Sequence, residues 1–270
     1  MDAVVGLYLE LMKKCLTNTI YGDSELAPVS PSSRTKRLVA KVFDAAGLTL
    51  ARQNSYSYQR REEGLDRPPY AHTMIGLRRL NNIQDCVERV LKENVPGDLI
   101  ETGVWRGGAA IFMRAILQAY GVQDRNVWVA DSFEGLPAPN ATKYPEDKDD
   151  LHHTDARLAV SVDAVRRNFE RYDLLDDQVR FLKGWFGDTL PQADIKQLAV
   201  IRLDGDMYES TMDAIASLYP KLAVGGYVIV DDWGAVRACR CAIEDYRLEH
   251  GIAEAIRPID GTGVYWKRES

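Results

Sequence analysis

Apolar positions along this chain follow two periods. Over residues 4–16 the spacing is helical, and Val4, Leu7, Tyr8, Leu11, Met12 and Cys15 form one stripe. The pattern predicts a helix packed through that stripe, with Glu10, Lys13 and Lys14 in water. A second helix, RTKRLVAKVFDAAG, stops at Gly47, and a third spans 74–94 and ends before Pro96-Gly97. Between them, residues 51–69 (ARQNSYSYQRREEGLDRPP) show no apolar period and read as a loop or mobile cover.

From Asp98 onward short apolar runs alternate with helical ones. The runs DLIET, NVWVAD, QVRFLKGW, LAVIRLD and GYVIVDD predict five buried strands. The amphipathic segments between them make the strands parallel, joined by right-handed crossovers. Two short runs around Asp260-Gly261-Thr262-Gly263 predict an antiparallel hairpin at the sheet edge. The acidic stretch YPEDKDDLHHTD, 144–155, is too polar for a core and reads as a solvated loop or a lid, with His152 and His153 facing water.

Two of the strands end in acid. AVIRLDGD delivers Asp204 and Asp206 across one glycine, and VIVDD delivers Asp231 and Asp232. Neighbouring parallel strands would bring Asp204, Asp231 and Asp232 to one rim, where three carboxylates repel unless a cation lies among them. An all-oxygen ligand set favours Mg²⁺ or Ca²⁺. Asp206 alone is explained equally well as a helix cap or exposed acid before the helix near Ser210.

The first strand-to-helix turn, ETGVWRGG, has the glycines of a nucleotide-type floor in the spacing G-x-x-x-G-G. That differs from the G-x-G-x-x-G of dinucleotide binders and disfavours a nicotinamide oxidoreductase, as does the lack of a Tyr-x-x-x-Lys pair. Glu101 before the turn suits an ammonium group, and Asp131 ends the second strand where an acid grips ribose hydroxyls. Such a pair fits S-adenosylmethionine. Composition narrows the partners: a net charge of −6 and a pI near 5.4 argue against nucleic acid. The four cysteines have no zinc or disulfide spacing, no apolar run is long enough to cross a membrane, and the N-terminal charge order is wrong for a signal peptide. A cytoplasmic, soluble protein is expected.

ETGVWRGG, VWVADSFEGLP, LDGDMYEST and GGYVIVDDW together resemble the TylF/macrocin O-methyltransferase family, as do LTNTIYGD and AHTMIGLRRL upstream. The resemblance implies a Rossmann-like class I methyltransferase of α/β fold: a mostly parallel seven-stranded sheet with an antiparallel C-terminal hairpin and a helical N-terminal extension. The extension and lid are expected over 1–75 and the core over 76–270. It also implies Mg-dependent methylation of a sugar hydroxyl on a glycosylated small molecule of antibiotic biosynthesis, with a catechol acceptor as the alternative. By the same likeness Glu101, Thr102 and Gly103 lie near the methionine part, and Asp131 holds the ribose. Ser132, Phe133, Gly184, Trp185 and Phe186 surround the adenosine. Asp204, Asp231 and Asp232 are the expected Mg²⁺ ligands, with Asp204 the first candidate proton acceptor and His72 the second. Trp105 and Trp233 flank this site as sugar contacts or packing residues, and a homo-oligomer through the N-terminal helices is expected by analogy.

Overall fold

In the computed structural model the described residues are all but 1–2, 22–25, 30–32, 54–55 and 67, so Gly22 and Asp23 of the LTNTIYGD segment lie outside them. Helices α1 (Ala3–Leu16), α2 (Arg34–Ala45) and α3 (Tyr58–Glu63) precede α4 (Leu77–Lys92). Strand β1 (Leu26–Pro28) pairs antiparallel with β2 (Ala51–Gln53). Residues 51–69 are therefore not one loop: Ser57 caps α3 by accepting from the Arg60 amide, and Gly64 ends it in the left-handed conformation. A helix of 6 residues is too short to show a period, which is why the pattern hid it.

The main sheet has seven strands in the order β5-β4-β3-β6-β7-β9-β8. They are β3 (Asp98–Thr102), β4 (Val127–Asp131), β5 (Val179–Lys183), β6 (Leu198–Leu203), β7 (Leu222–Val230), β8 (Arg257–Pro258) and β9 (Val264–Lys267). The first five are parallel, and β9 returns antiparallel between β7 and β8. Along the strands side chains alternate between two cores: Leu99, Val127 and Val129 meet α1, α4 and the helix α5 (Gly108–Ala119) on one face. Helices α6 (Val162–Glu170) and α7 (Phe186–Thr189) precede α8 (Tyr208–Leu218) and α9 (Arg237–Glu249), and Ile100, Ala130 and Ile201 meet the last two on the other face.

Helix α1 joins the first core through Leu9, Met12 and Leu16. The stripe expected to pack is rotated: Val4, Leu7 and Leu11 are 71%, 73% and 53% exposed. A periodic stripe fixes the helix but not which of two apolar flanks meets the core, and Leu9 and Leu16 lie on the other flank.

Candidate active site

Register brings the strand ends together. Thr102 pairs with Ala130 on one side and Leu203 on the other, and Leu203 pairs with Val230. The next residue of each strand continues the ladder: the amides of Gly103, Asp204 and Asp231 bond to the carbonyls of Ala130, Thr102 and Leu203, each at 2.9 Å. Asp204 and Asp231 thus stand side by side on the carboxyl rim, beside Gly103 at the point where the strand order reverses. Gly103 has φ +83°, and a Cβ there would lie 1.7 Å from the Asp204 carbonyl oxygen, so only glycine lets the two loops touch.

Asp204, Asp231 and Asp232 each offer a carboxylate oxygen within 4.8 Å of the others. Two buried arginines, which the sequence pattern did not single out, hold part of this charge. Arg202 donates to Glu101 at 2.6 Å, to Asp204 at 2.8 Å and to Asp231; Arg79, from α4, bonds the other Asp231 oxygen and also Asp260 at 2.8 Å. The signal for Arg202 was present, since it is the one charged residue inside the run LAVIRL. Burial and the neighbouring Asp231 raise the Asp204 pKa, burial and the other aspartates raise that of Asp232, and burial pushes Glu101 up to about 8. Burial and Asp204 push Asp206 up to about 7. Among the described residues neither Asp206 nor Asp232 forms an ion pair, and Asp232 Oδ2 is buried with no hydrogen-bond partner.

Asp206 is not a cap. Met207 is the N-cap of α8 and supplies no side-chain bond. The free amides of Tyr208 and Glu209 are met by Asp147, at 2.6 and 3.1 Å. Asp147 is buried and belongs to the acidic stretch 144–155, which is therefore docked against the rim rather than solvated throughout. His152, bonded to Asp150 at 2.7 Å, lines a cavity as well as meeting water.

Two cavities open at the rim. One, of about 330 Å³, is lined by Gly103, Asp131, Ser132, Gly184, Trp185 and Phe186, all expected around the cofactor, together with Asp188, Glu209 and Asp213. Asp131 accepts the amides of Val104 (2.7 Å) and Phe133 (2.6 Å), which shapes the loop beneath that cavity. Thr102 and Phe133 lie in the core instead, Phe133 against Phe181, and neither lines a cavity. The second cavity, of about 700 Å³, contains Glu101, Asp231 and Asp232, with Leu65, Pro68, Pro69 and Val236 at its apolar side. Met74, Trp105, Leu158, Asp204 and Asp206 line both. His72 lines neither. Its Nδ1 is 2.7 Å from the Tyr172 hydroxyl, and burial with Arg171 and Arg106 depresses its pKa to about 4. Trp233 is outside both linings and stacks with Arg240.

The family described as Macrocin-O-methyltransferase (TylF) matches residues 5–268. The chain belongs to this family. Its relatives include a Streptomyces olivaceus 8-demethyl-8-(2,3-dimethoxy-alpha-L-rhamnosyl)-tetracenomycin-C 4'-O-methyltransferase, 53% identical over 97% of this chain and 92% of that one. Demethyldecarbamoylnovobiocin O-methyltransferase of Streptomyces niveus is 52% identical, covering 97% and 94%. The solved O-methyltransferase NovP superposes with a TM-score of 0.85 at 51% identity, over 98% of this chain and all of that one. The chain is accordingly an S-adenosylmethionine-dependent O-methyltransferase of the class I, Rossmann-like fold. Among the described residues no helix is long and apolar enough to cross a membrane.

Proposed function

We propose that this enzyme methylates a deoxysugar hydroxyl on a glycosylated natural product in antibiotic biosynthesis, acting in the cytoplasm with Mg²⁺. The observation that carries the reading is the shared wall of the two cavities. Among the described residues, a donor seated over Gly103, Asp131 and Gly184 and an acceptor seated over the acids meet at Asp204, Asp206 and the three apolar residues beside them. The relatives, named for rhamnosyl-tetracenomycin, novobiocin and mycinamicin substrates, supply the acceptor class. A cavity of about 700 Å³ also suits a glycoside better than a flat catechol.

The residues fit a hard cation. Three carboxylates converge, one buried oxygen of Asp232 has no partner, and the Asp231 oxygens bonded to arginine keep a second lone pair. Asp204, Asp231 and Asp232 would hold it, and when bound it acidifies and orients a hydroxyl. Arg202 fixes Asp204 and Asp231 toward one another, while Gly103 brings the donor loop against Asp204. Asp206, on the shared wall and tied to no arginine among the described residues, is better placed than Asp204 or His72 to take the hydroxyl proton. Leu7 and Leu11, exposed on α1, are the proposed contact of a homo-oligomer.

The test is mass-spectrometric detection of methyl transfer to a panel made of demethyldecarbamoylnovobiocin, mycinamicin III, the demethylated rhamnosyl-tetracenomycin and simple catechols, with magnesium or with EDTA. Methylated glycoside that disappears in EDTA supports the reading. Transfer insensitive to EDTA removes the cation, and transfer only to catechols removes the sugar.

A further inference from the structure

Trp105 holds an unusual place. Its backbone has φ +47°, a left-handed conformation that a bulky side chain adopts only when its surroundings enforce it. The enforcement is visible: Gly107 closes a turn on the Val104 carbonyl at 2.7 Å, and Asp131 accepts the Val104 amide at 2.7 Å. The side chain is fixed as firmly. Indole Nε1 donates to the Arg157 carbonyl at 2.9 Å, and the Arg106 guanidinium lies 4.2 Å from the ring. Arg106 is itself anchored, donating to the carbonyls of Pro69 and Ala71, each at 2.8 Å.

A flat ring held by one hydrogen bond and one stacked guanidinium lines both cavities, with Met74 and Leu158 as the apolar part of their common wall and Asp204 and Asp206 as the acidic part. Two ligands meet here, a sulfonium donor and a sugar acceptor. The ring already carries a guanidinium, so a second cation gains little from it. A neutral C–H surface gains apolar contact with no such penalty. A deoxysugar presents such a surface on one side and hydroxyls on the other, which matches an indole facing carboxylates.

We infer that Trp105 is a specificity-determining residue for the acceptor: the C–H face of the sugar lies on its indole while the hydroxyls turn to Asp204 and Asp206. This rests on the sugar reading above. Rigidity is the point of the arrangement, because a ring that cannot turn admits only the sugar orientation that sends one chosen hydroxyl to the acids.

The experiment compares wild type with Trp105→Leu and Trp105→Phe, using the best acceptor of the glycoside panel and S-adenosylhomocysteine as cofactor probe. Trp105→Leu, apolar but not flat, should raise acceptor KM at least tenfold with S-adenosylhomocysteine Kd within twofold of wild type. Trp105→Phe should keep KM within threefold. A Kd that rises in step with KM, a KM unchanged in Trp105→Leu, or a Phe variant as poor as Leu each overturns the inference. Should Trp105→Leu not fold, fluorescence decides: acceptor must alter tryptophan emission of the wild type and not of Trp105→Phe, and an equal change in both overturns the assignment. A wild type that methylates no glycoside places the fault in the sugar reading, and the inference falls with it.

Discussion

Arg202 and Glu101 are register partners on adjacent parallel strands, and both are buried with 2.6 Å between Nη1 and Oε1. The pair sits beneath the aspartates, so it sets the charge on which the rim is built. Removing Arg202 strands Glu101 and Asp204 without their cation and leaves Asp231 to Arg79 alone. Arg202→Met should lose about 3–5 kcal/mol, the usual cost of breaking a buried pair. Urea denaturation measures it. Glu101→Gln should cost far less, because burial already pushes the Glu101 carboxyl up to about 8 and an amide imitates its protonated form.

Asp147 ties the acidic stretch to α8 through the amides of Tyr208 and Glu209. Asp147→Ala should cost about 1 kcal/mol, as lost caps do. Amide hydrogen exchange should quicken over residues 144–155 and at 208–209, and leave α5 unchanged. Unchanged exchange over 144–155 would show that other contacts dock the stretch.

Gly103→Ala meets the Asp204 carbonyl head on, in a backbone conformation that alanine resists. The expected loss is more than about 3 kcal/mol, since strain and clash add. S-adenosylhomocysteine binding by calorimetry should vanish with it. Wild-type affinity in the variant would mean the two loops part without harm to the donor cavity.

His72 gives a pH signature. Its folded pKa of about 4 lies below the 6.5 of an unfolded histidine, so between these values the unfolded chain binds the extra proton. Stability therefore rises with pH through that window and is lost as pH falls through it. His72→Gln should flatten the difference between pH 4 and pH 6.5 by roughly 1–2 kcal/mol after screening by solvent. Urea melts at both pH values read it, and an unchanged slope assigns the acid sensitivity to the carboxylates.

The sheet was legible because buried parallel strands leave apolar runs of strand length, and all five lie where the runs are. The aspartates were legible for the related reason that acid directly after such a run must sit on the rim. Arg79 was not, since α4 carries several arginines and only the fold selects the one that reaches Asp231 and Asp260. Asp147 was hidden in the same way: it is one acid among many in 144–155, and its partners are 61 and 62 residues away. His72 carried a chemical letter without an address, and the fold spends it on Tyr172.

The wall of the larger cavity divides by origin. Asp204, Asp206, Asp231 and Asp232 follow the ends of β6 and β7 and Glu101 lies on β3, but Leu65, Pro68, Pro69, His152, Arg157 and Val236 come from segments outside the sheet. Substitution in those segments alters what is admitted without disturbing the strand ladder or the charges it carries. Divergence can then proceed on the surface while the chemistry is inherited intact. Relatives that differ from this chain at about half their positions bear the names of quite different glycosides, as a scaffold with that division would allow.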